Sequence, residues 1–212
     1  MLKLLIIGAT GGLGRILVNE AISRGHIVSV LVRNQEKLNT EYTKDDLAKL
    51  NNIFIGDAGT DEETVLKACQ GIDVVVSGSG AVEPVARTVA KQAKAAAVKK
   101  FVYVAGATNV MDEDGITPLW IKASKFWPPA ERAFNSHKVC IDAIRNTGIN
   151  YVVFCPAYMS KIGKKSNPVQ IPKINRESGN FVSYEDAAHV MIDAAEKDTW
   201  DGQLITAATQ TA

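Results

Sequence analysis

The stretch from Leu2 to Gly14, LKLLIIGATGGLG, constrains this chain more than any other. Its apolar run, Leu2 to Ile7, has the length and composition of a strand buried in a parallel sheet. The run breaks into Gly8, Gly11 and Gly14, spaced G-x-x-G-x-x-G, and a helical pattern follows at once, with Leu13, Leu17 and Ala21 along one face. Strand, glycine turn and helix start together make a diphosphate site. Glycines permit a tight turn and close approach of phosphate oxygens, while exposed N–H groups and the helix dipole favour negative charge. A ligand-free tight connection is the competing reading, but the context favours nucleotide binding through Gly8, Thr10, Gly11, Gly12, Leu13 and Gly14.

The rest of the chain alternates in the same way. Apolar runs recur at 27–32, 53–55, 74–77, 101–105 and 151–154. Helical patterns lie at 12–23, 62–69, 82–98 and 131–146, and a last helix at 184–197 leads to a short strand at 203–206. Repeated βαβ units with right-handed crossovers predict an α/β fold: a Rossmann-like, doubly wound parallel sheet with helices on both faces. With 212 residues, a single NAD(P)-binding domain over 1–212 is expected. Two stretches interrupt the alternation. Residues 34–51 are charged. Residues 106–130, holding Trp120, Phe126, Trp127, Pro128 and Pro129, form an expected substrate loop, with a further C-terminal segment at 157–182. The alternative is a surface excursion whose aromatics only pack on the domain.

Composition excludes several classes. A formal charge of +1 gives no reason to expect nucleic acid or acidic lipid as partner. No apolar run approaches the ~18 residues of a membrane span, and the N-terminal run reads as a strand, not a signal peptide. Cys69, Cys140 and Cys155 form no C-x-x-C pair, and His26, His137 and His189 have no metal-ligand spacing. Neither a disulfide framework nor a metal is expected, and a cytoplasmic location is the default.

The second strand, IVSVLVRN, decides between dinucleotides. NAD-specific versions of this fold usually end that strand in Asp or Glu, which binds the ribose hydroxyls. Here no acid lies between Glu20 and Glu36, and Arg33 stands near that place. A guanidinium there can form paired, charge-assisted contacts with a 2′-phosphate, which favours NADPH over NADH. Lys37 adds charge or is simply a solvated helix residue. Asp57, with Ala58 in IGDAGT, is placed to accept from an adenine amino group or to cap the helix that follows. Ser77, Gly78 and Ser79 would pass under the cofactor, where small side chains permit close approach, and Ala105 and Gly106 after the fifth strand are further candidate cofactor contacts.

The segments GATGGLG, VLVRN, GDAGT and NTGINYVVFCPAYM resemble the atypical branch of the short-chain dehydrogenase/reductase superfamily. Across almost the whole chain the resemblance is to the biliverdin IXβ reductase/flavin reductase family, including the ending WDGQLITAATQTA. In that family NADPH gives a hydride to a flavin or a linear tetrapyrrole. The resemblance implies cofactor contacts at Gly8, Thr10, Gly11, Gly14, Arg33, Asp57 and Gly78, and an active-site histidine at His137. Two positions depart from the pattern. The serine expected after the fifth strand is replaced by Ala105-Gly106-Ala107, and a second histidine is replaced by Tyr158.

Ordinary alcohol-dehydrogenase chemistry needs Tyr-x-x-x-Lys, the tyrosine protonating a carbonyl oxygen. The residues four positions after Tyr42, Tyr103, Tyr151, Tyr158 and Tyr184 are Asp46, Ala107, Cys155, Ile162 and Ala188, so the pair is absent. Hydride transfer to a flavin demands less: two aligned rings in a dry pocket. Trp120, Phe126, Trp127, Tyr158 and Met159 could form an apolar bed for a conjugated aromatic substrate. His137 and Tyr158 are the candidate catalytic groups, as proton donors or substrate-positioning residues; packing roles are open for both. The expected function is an NADPH-dependent reductase acting on a flavin, quinone or other conjugated acceptor. The alternatives are a non-catalytic NADP(H) sensor similar to NmrA-like regulators, and a dinucleotide-binding isomerase or dehydratase. Oligomeric state stays open.

Overall fold

The structure is a computed structural model and describes residues 1–112, 114–160, 169–171 and 181–209. Ten strands and eight helices appear among them. In chain order they are β1 (Lys3–Ile7), α1 (Gly12–Ser23), β2 (Ile27–Val32), α2 (Gln35–Glu41), α3 (Lys44–Leu47), β3 (Asn52–Ile55), α4 (Glu62–Cys69), β4 (Val74–Ser77) and α5 (Glu83–Ala95). Then come β5 (Lys100–Val104), α6 (Leu119–Ala123), α7 (Ala130–Asn146), β6 (Tyr151–Phe154), β7 (Tyr158–Ser160), β8 (Val169–Ile171), β9 (Phe181–Ser183), α8 (Tyr184–Glu196) and β10 (Leu204–Ala208).

The main sheet runs β3-β2-β1-β4-β5-β6-β10-β8. Its first seven strands are parallel, and β8 closes the edge antiparallel to β10. This is the doubly wound α/β fold expected. Because a strand points successive side chains to opposite faces, each apolar run feeds two cores. Leu4, Ile6, Val28, Val30, Val76 and Val102 meet α1 and α8 on one face. Leu5, Ile7, Leu31, Val75, Phe101 and Tyr103 meet α4, α5 and α7 on the other.

The chain winds outward from β1 to β2 and β3, then crosses back to β4 and winds the other way. The winding thus reverses between β1 and β4, and ligands of such sheets bind beyond the strand ends at that reversal. There the Gly78 N–H donates to the Ile7 carbonyl at 3.0 Å, joining the ends of both strands.

Several expectations need correction. The charged stretch 34–51 is not an open loop: it folds into α2 and α3, capped by Asn34, which accepts from the Lys37 N–H at 2.8 Å, and by Thr43, which accepts from the Asp46 N–H at 3.2 Å. The excursion 106–130 carries a 3-10 turn, Ala107–Asn109, a bridge between Met111 and Pro118, and α6. The helix expected at 82–98 stops at Ala95, because Ala97 turns left-handed (φ 58°) and sends the chain into β5. The last strand begins one residue later and runs to Ala208. The segment 157–182 supplies β7, β8 and the start of β9; its residues 161–168 and 172–180 lie outside the described residues.

Candidate functional site

The glycine turn is built by close backbone contact. Gly8 leaves β1 in the left-handed region (φ 79°), and the Gly11 N–H donates back to the Gly8 carbonyl at 2.9 Å. A Cβ on Gly14 would lie 2.0 Å from the Gly8 oxygen, so α1 starts directly against the turn only because Gly14 has no side chain. Gly12 faces the Tyr184 ring, which would stand 3.2 Å from an added Cβ. Leu13 sends its side chain into the core at 4% exposure, so any role it has toward a ligand falls to its backbone.

Beyond this turn lies a cavity of about 480 Å³, lined among others by Gly8, Thr10, Gly11, Arg33, Asp57 and Ser79. Ala58 and Gly78 line it as well. Eight of the candidate cofactor residues from four different strand ends therefore meet in one space. Ser77 is fully buried beneath it; its hydroxyl donates to the Ser79 carbonyl at 3.1 Å and shapes the turn after β4. Gly12, Gly14, Ala105 and Gly106 are not in the lining.

Arg33 is exposed at the end of β2 and makes no hydrogen bond or ion pair among the described residues. Asn34 and Lys37 join it on the cavity wall, Lys37 on the first turn of α2. The cap reading of Asp57 is overturned: Asp61 caps α4, accepting from the Thr64 N–H at 3.0 Å. Asp57 instead accepts from the Gly59 N–H at 2.7 Å and borders the cavity. Gly59, Pro84 and Val85 complete that wall. Sequence reading passed over these three; the Pro84 position, in the first turn of α5, was the available signal.

His137 stands outside this cavity, on α7. Its ring edge lies against Gly106 and would be 2.8 Å from a Cβ there, so the small residue after β5 makes room for the imidazole. Ala107 N–H donates to the Pro156 carbonyl at 2.9 Å, tying that turn to the end of β6. The Nδ1 atom of His137 is buried without a hydrogen-bond partner among the described residues, and burial lowers its pKa below the ordinary 6.5. Tyr158 follows β6 on β7. It is 65% exposed and tilts against Phe181, with ring centroids 6.4 Å apart. No hydrogen bond joins it to His137 among the described residues.

The lowered pKa of His137 has a consequence for stability. Between its folded pKa and the unfolded value near 6.5 the unfolded chain binds the extra proton, so stability falls as pH drops below about 6.5 and levels off below the folded value. His137→Gln is expected to flatten this part of the stability–pH curve, read by thermal melting between pH 5 and 8. An unchanged curve would show that the imidazole is not held neutral.

The aromatic candidates divide. Trp120 stacks on Phe134 at 5.4 Å, which gives it a packing role, and Met159 packs against the core. Phe126 and Trp127 are 78% and 44% exposed. The three cysteines are buried, and burial pushes the Cys69 thiol up to about 12, which removes it as a nucleophile at neutral pH. Lys138 pairs with Asp142 on the exposed face of α7. No helix among the described residues is long and apolar enough to cross a membrane.

A family model described as NAD(P)H-binding matches residues 8–198. The uncharacterized protein YwnB of Bacillus subtilis is 24% identical over 99% of both chains. Among solved structures, a protein of Streptococcus pneumoniae TIGR4 provisionally named an NADH-flavin reductase superposes with a TM-score of 0.78 at 23% identity, covering 99% of this chain and all of that one. ChuY of Escherichia coli O157:H7, an anaerobillin reductase, superposes with a TM-score of 0.74 at 19% identity and the same coverage. At such identities these two likenesses carry the fold alone. The glycine cradle fits a dinucleotide diphosphate, the family model spans most of the chain from Gly8 onward, and the protein belongs to the NAD(P)H-binding family.

Proposed function

We propose that the protein is an NADPH-dependent reductase that passes hydride to a flavin, quinone or other conjugated aromatic acceptor. The observation that carries the reading is the cavity at the sheet reversal, with the glycine turn at one side and Arg33 and Lys37 at the other. Bound NADPH supplies the hydride. Everything else is asked of the protein. Thr10 and Gly11 face the diphosphate, Gly78 and Ser79 allow the ribose to lie close, and Asp57 accepts from the adenine amino group. Arg33, with no partner among the described residues, is left to meet the 2′-phosphate, and no carboxylate at the end of β2 favours an unphosphorylated ribose.

His137 is the group suited to the acceptor. Neutral at pH 7, its half-buried imidazole holds one N–H, which can donate to an oxygen or nitrogen of the acceptor. Tyr158, exposed on β7 just after β6, offers a hydroxyl and a flat ring. With no Tyr-x-x-x-Lys pair, an acceptor that takes its proton from solvent suits the site better than an isolated ketone. Names of reductases among the structural neighbours point the same way.

Two measurements test this. NADPH absorbance is followed after adding FMN, riboflavin, biliverdin and a quinone separately to pure protein; enzyme-dependent loss with a flavin or quinone is the expected result. Tight NADPH binding with no loss for any acceptor would favour the sensor reading instead. Arg33→Ala is expected to weaken NADPH about 10-fold or more, the size of a charged hydrogen bond, and to leave NADH within about twofold. Equal losses for both would remove the 2′-phosphate assignment.

A further inference from the structure

Tyr42 has no part in the function derived so far, yet its hydroxyl reaches the phosphate-binding turn. The ring comes from the residue after α2, is 7% exposed, and its Oη donates to the Ala9 carbonyl at 2.9 Å. Ala9 is itself fully buried, between Gly8 and Thr10. A second link runs parallel: Glu41, the neighbour of Tyr42, pairs with Arg15 on the first turns of α1 at 2.5 Å. The end of α2 is thereby fastened to the glycine turn and to the helix it opens.

The direction of the Ala9 carbonyl matters because a trans peptide points its C=O and the next N–H opposite ways. With the Ala9 oxygen held inward by Tyr42, the Thr10 N–H is directed outward, on the residue that lines the cavity. That N–H has no acceptor among the described residues. Were the plane to turn over, a carbonyl dipole would face the diphosphate in place of a donor, and the turn would repel the anion it is shaped for. Burial also holds the Tyr42 phenol above its ordinary pKa, so it stays a donor at every physiological pH.

We infer that Tyr42 is a positioning residue for the dinucleotide: its hydrogen bond to Ala9 sets the Ala9–Thr10 peptide plane so that the Thr10 N–H donates to the diphosphate. The inference rests on the dinucleotide binding of the family and not on the choice of NADPH or of the acceptor. Tyr42→Phe keeps the ring and removes only the donor. It is expected to weaken NADPH and NADH by the same factor, roughly fivefold to tenfold, the size of one hydrogen bond. Binding of adenosine 2′-monophosphate, which has no diphosphate, is expected to stay unchanged. In the wild-type protein, NADP⁺ is expected to slow hydrogen exchange of the Thr10 amide. Wild-type affinity of Tyr42→Phe for both dinucleotides would overturn the inference. So would an equal loss for adenosine 2′-monophosphate, which would mean general distortion. Should Tyr42→Phe not fold, the exchange of Thr10 in the wild type decides alone, and no protection there overturns it. A failure of the 2′-phosphate reading looks different: Arg33→Ala would then affect both dinucleotides, while the equal losses in Tyr42→Phe would stand.

Discussion

Gly14→Ala is expected to lose at least about 100-fold in NADPH affinity, because overpacking at a rigid backbone contact costs on the order of 3 kcal/mol. The added Cβ would stand 2.0 Å from the Gly8 oxygen, 2.7 Å from its carbonyl carbon and 3.0 Å from the Ala9 Cα. All three are backbone atoms, so no side chain can swing away. The helix must back off the turn, and Leu17, fully buried three residues on and packed near Gly78, must follow. Both the diphosphate turn and the wall after β4 would then shift together. Gly25→Ala is the control. Gly25, unlike Gly14, is left-handed (φ 77°), and it has open space around it. That substitution is expected to cost about 1 kcal/mol of stability through backbone strain alone and to leave NADPH binding intact. Fluorescence titration with NADPH and thermal melting of both variants provide the check. A Gly14→Ala protein with wild-type affinity would show that the turn and helix need no such closeness.

The second large effect is expected at the start of β5. Lys100 is 3% exposed, an unusual place for a lysine, and its ammonium is fully engaged. It donates to the Lys197 carbonyl at 2.8 Å, to the Ala194 carbonyl at 3.3 Å and to Asp198 at 3.0 Å, and it pairs with Asp201 at 2.7 Å. The two carbonyls belong to the end of α8, where helices leave oxygens without intrahelical donors and favour positive charge. Lys100 thus fastens the last helix to the sheet. Asp198 is nearly fully exposed and adds little. Lys100→Met keeps the aliphatic stem, takes the ammonium from both carbonyls and leaves Asp201 with only its Asn150 donor at 2.6 Å. The expected loss is about 3 kcal/mol, or roughly 6–12 °C in melting temperature for a chain of this size. Below the transition, NADPH affinity should be that of the wild type, since Lys100 starts β5 and the cofactor cavity lies beyond the strand ends. A loss of affinity in the folded variant would show that the two ends of the sheet are coupled.

Lys100 also shows how far the sequence could be read. The strand was legible from Phe101 onward because its apolar run is continuous. The lysine before it lies outside that run, and nothing local reveals that the end of α8, ninety-odd positions later, comes to rest on it. The same division holds for the site. The turn from Gly8 to Gly14 was readable because strand, turn and helix are contiguous, and backbone geometry there depends on neighbours in the chain. Arg33 and Asp57 were readable because each ends a strand, and strand ends share one side of a parallel sheet.

The residues that escaped are those whose partners are distant. Tyr42 sits in a charged stretch with no periodic signal, yet it holds Ala9. Tyr184 covers Gly12 from a helix that begins far down the chain. Gly106 reads as one more small residue after a strand; only the packing of α7 shows that its missing side chain is where the His137 ring fits. Trp120 drew attention as a substrate contact and turned out stacked on Phe134, because an aromatic in a loop cannot announce whether its partner is ligand or protein.

By itself, the sequence determined the doubly wound α/β architecture and the placing of a glycine turn at residue 8. Those depend on period-2 and period-3.6 patterns and on glycine's freedom, which are local properties. Tertiary structure alone decided that Asp61 rather than Asp57 caps α4, that the half-buried His137 ring lies against Gly106, and that Tyr42 and Lys100 secure the two ends of the fold. Those are contacts between chain segments brought together by the packing of both cores, and no local pattern encodes them.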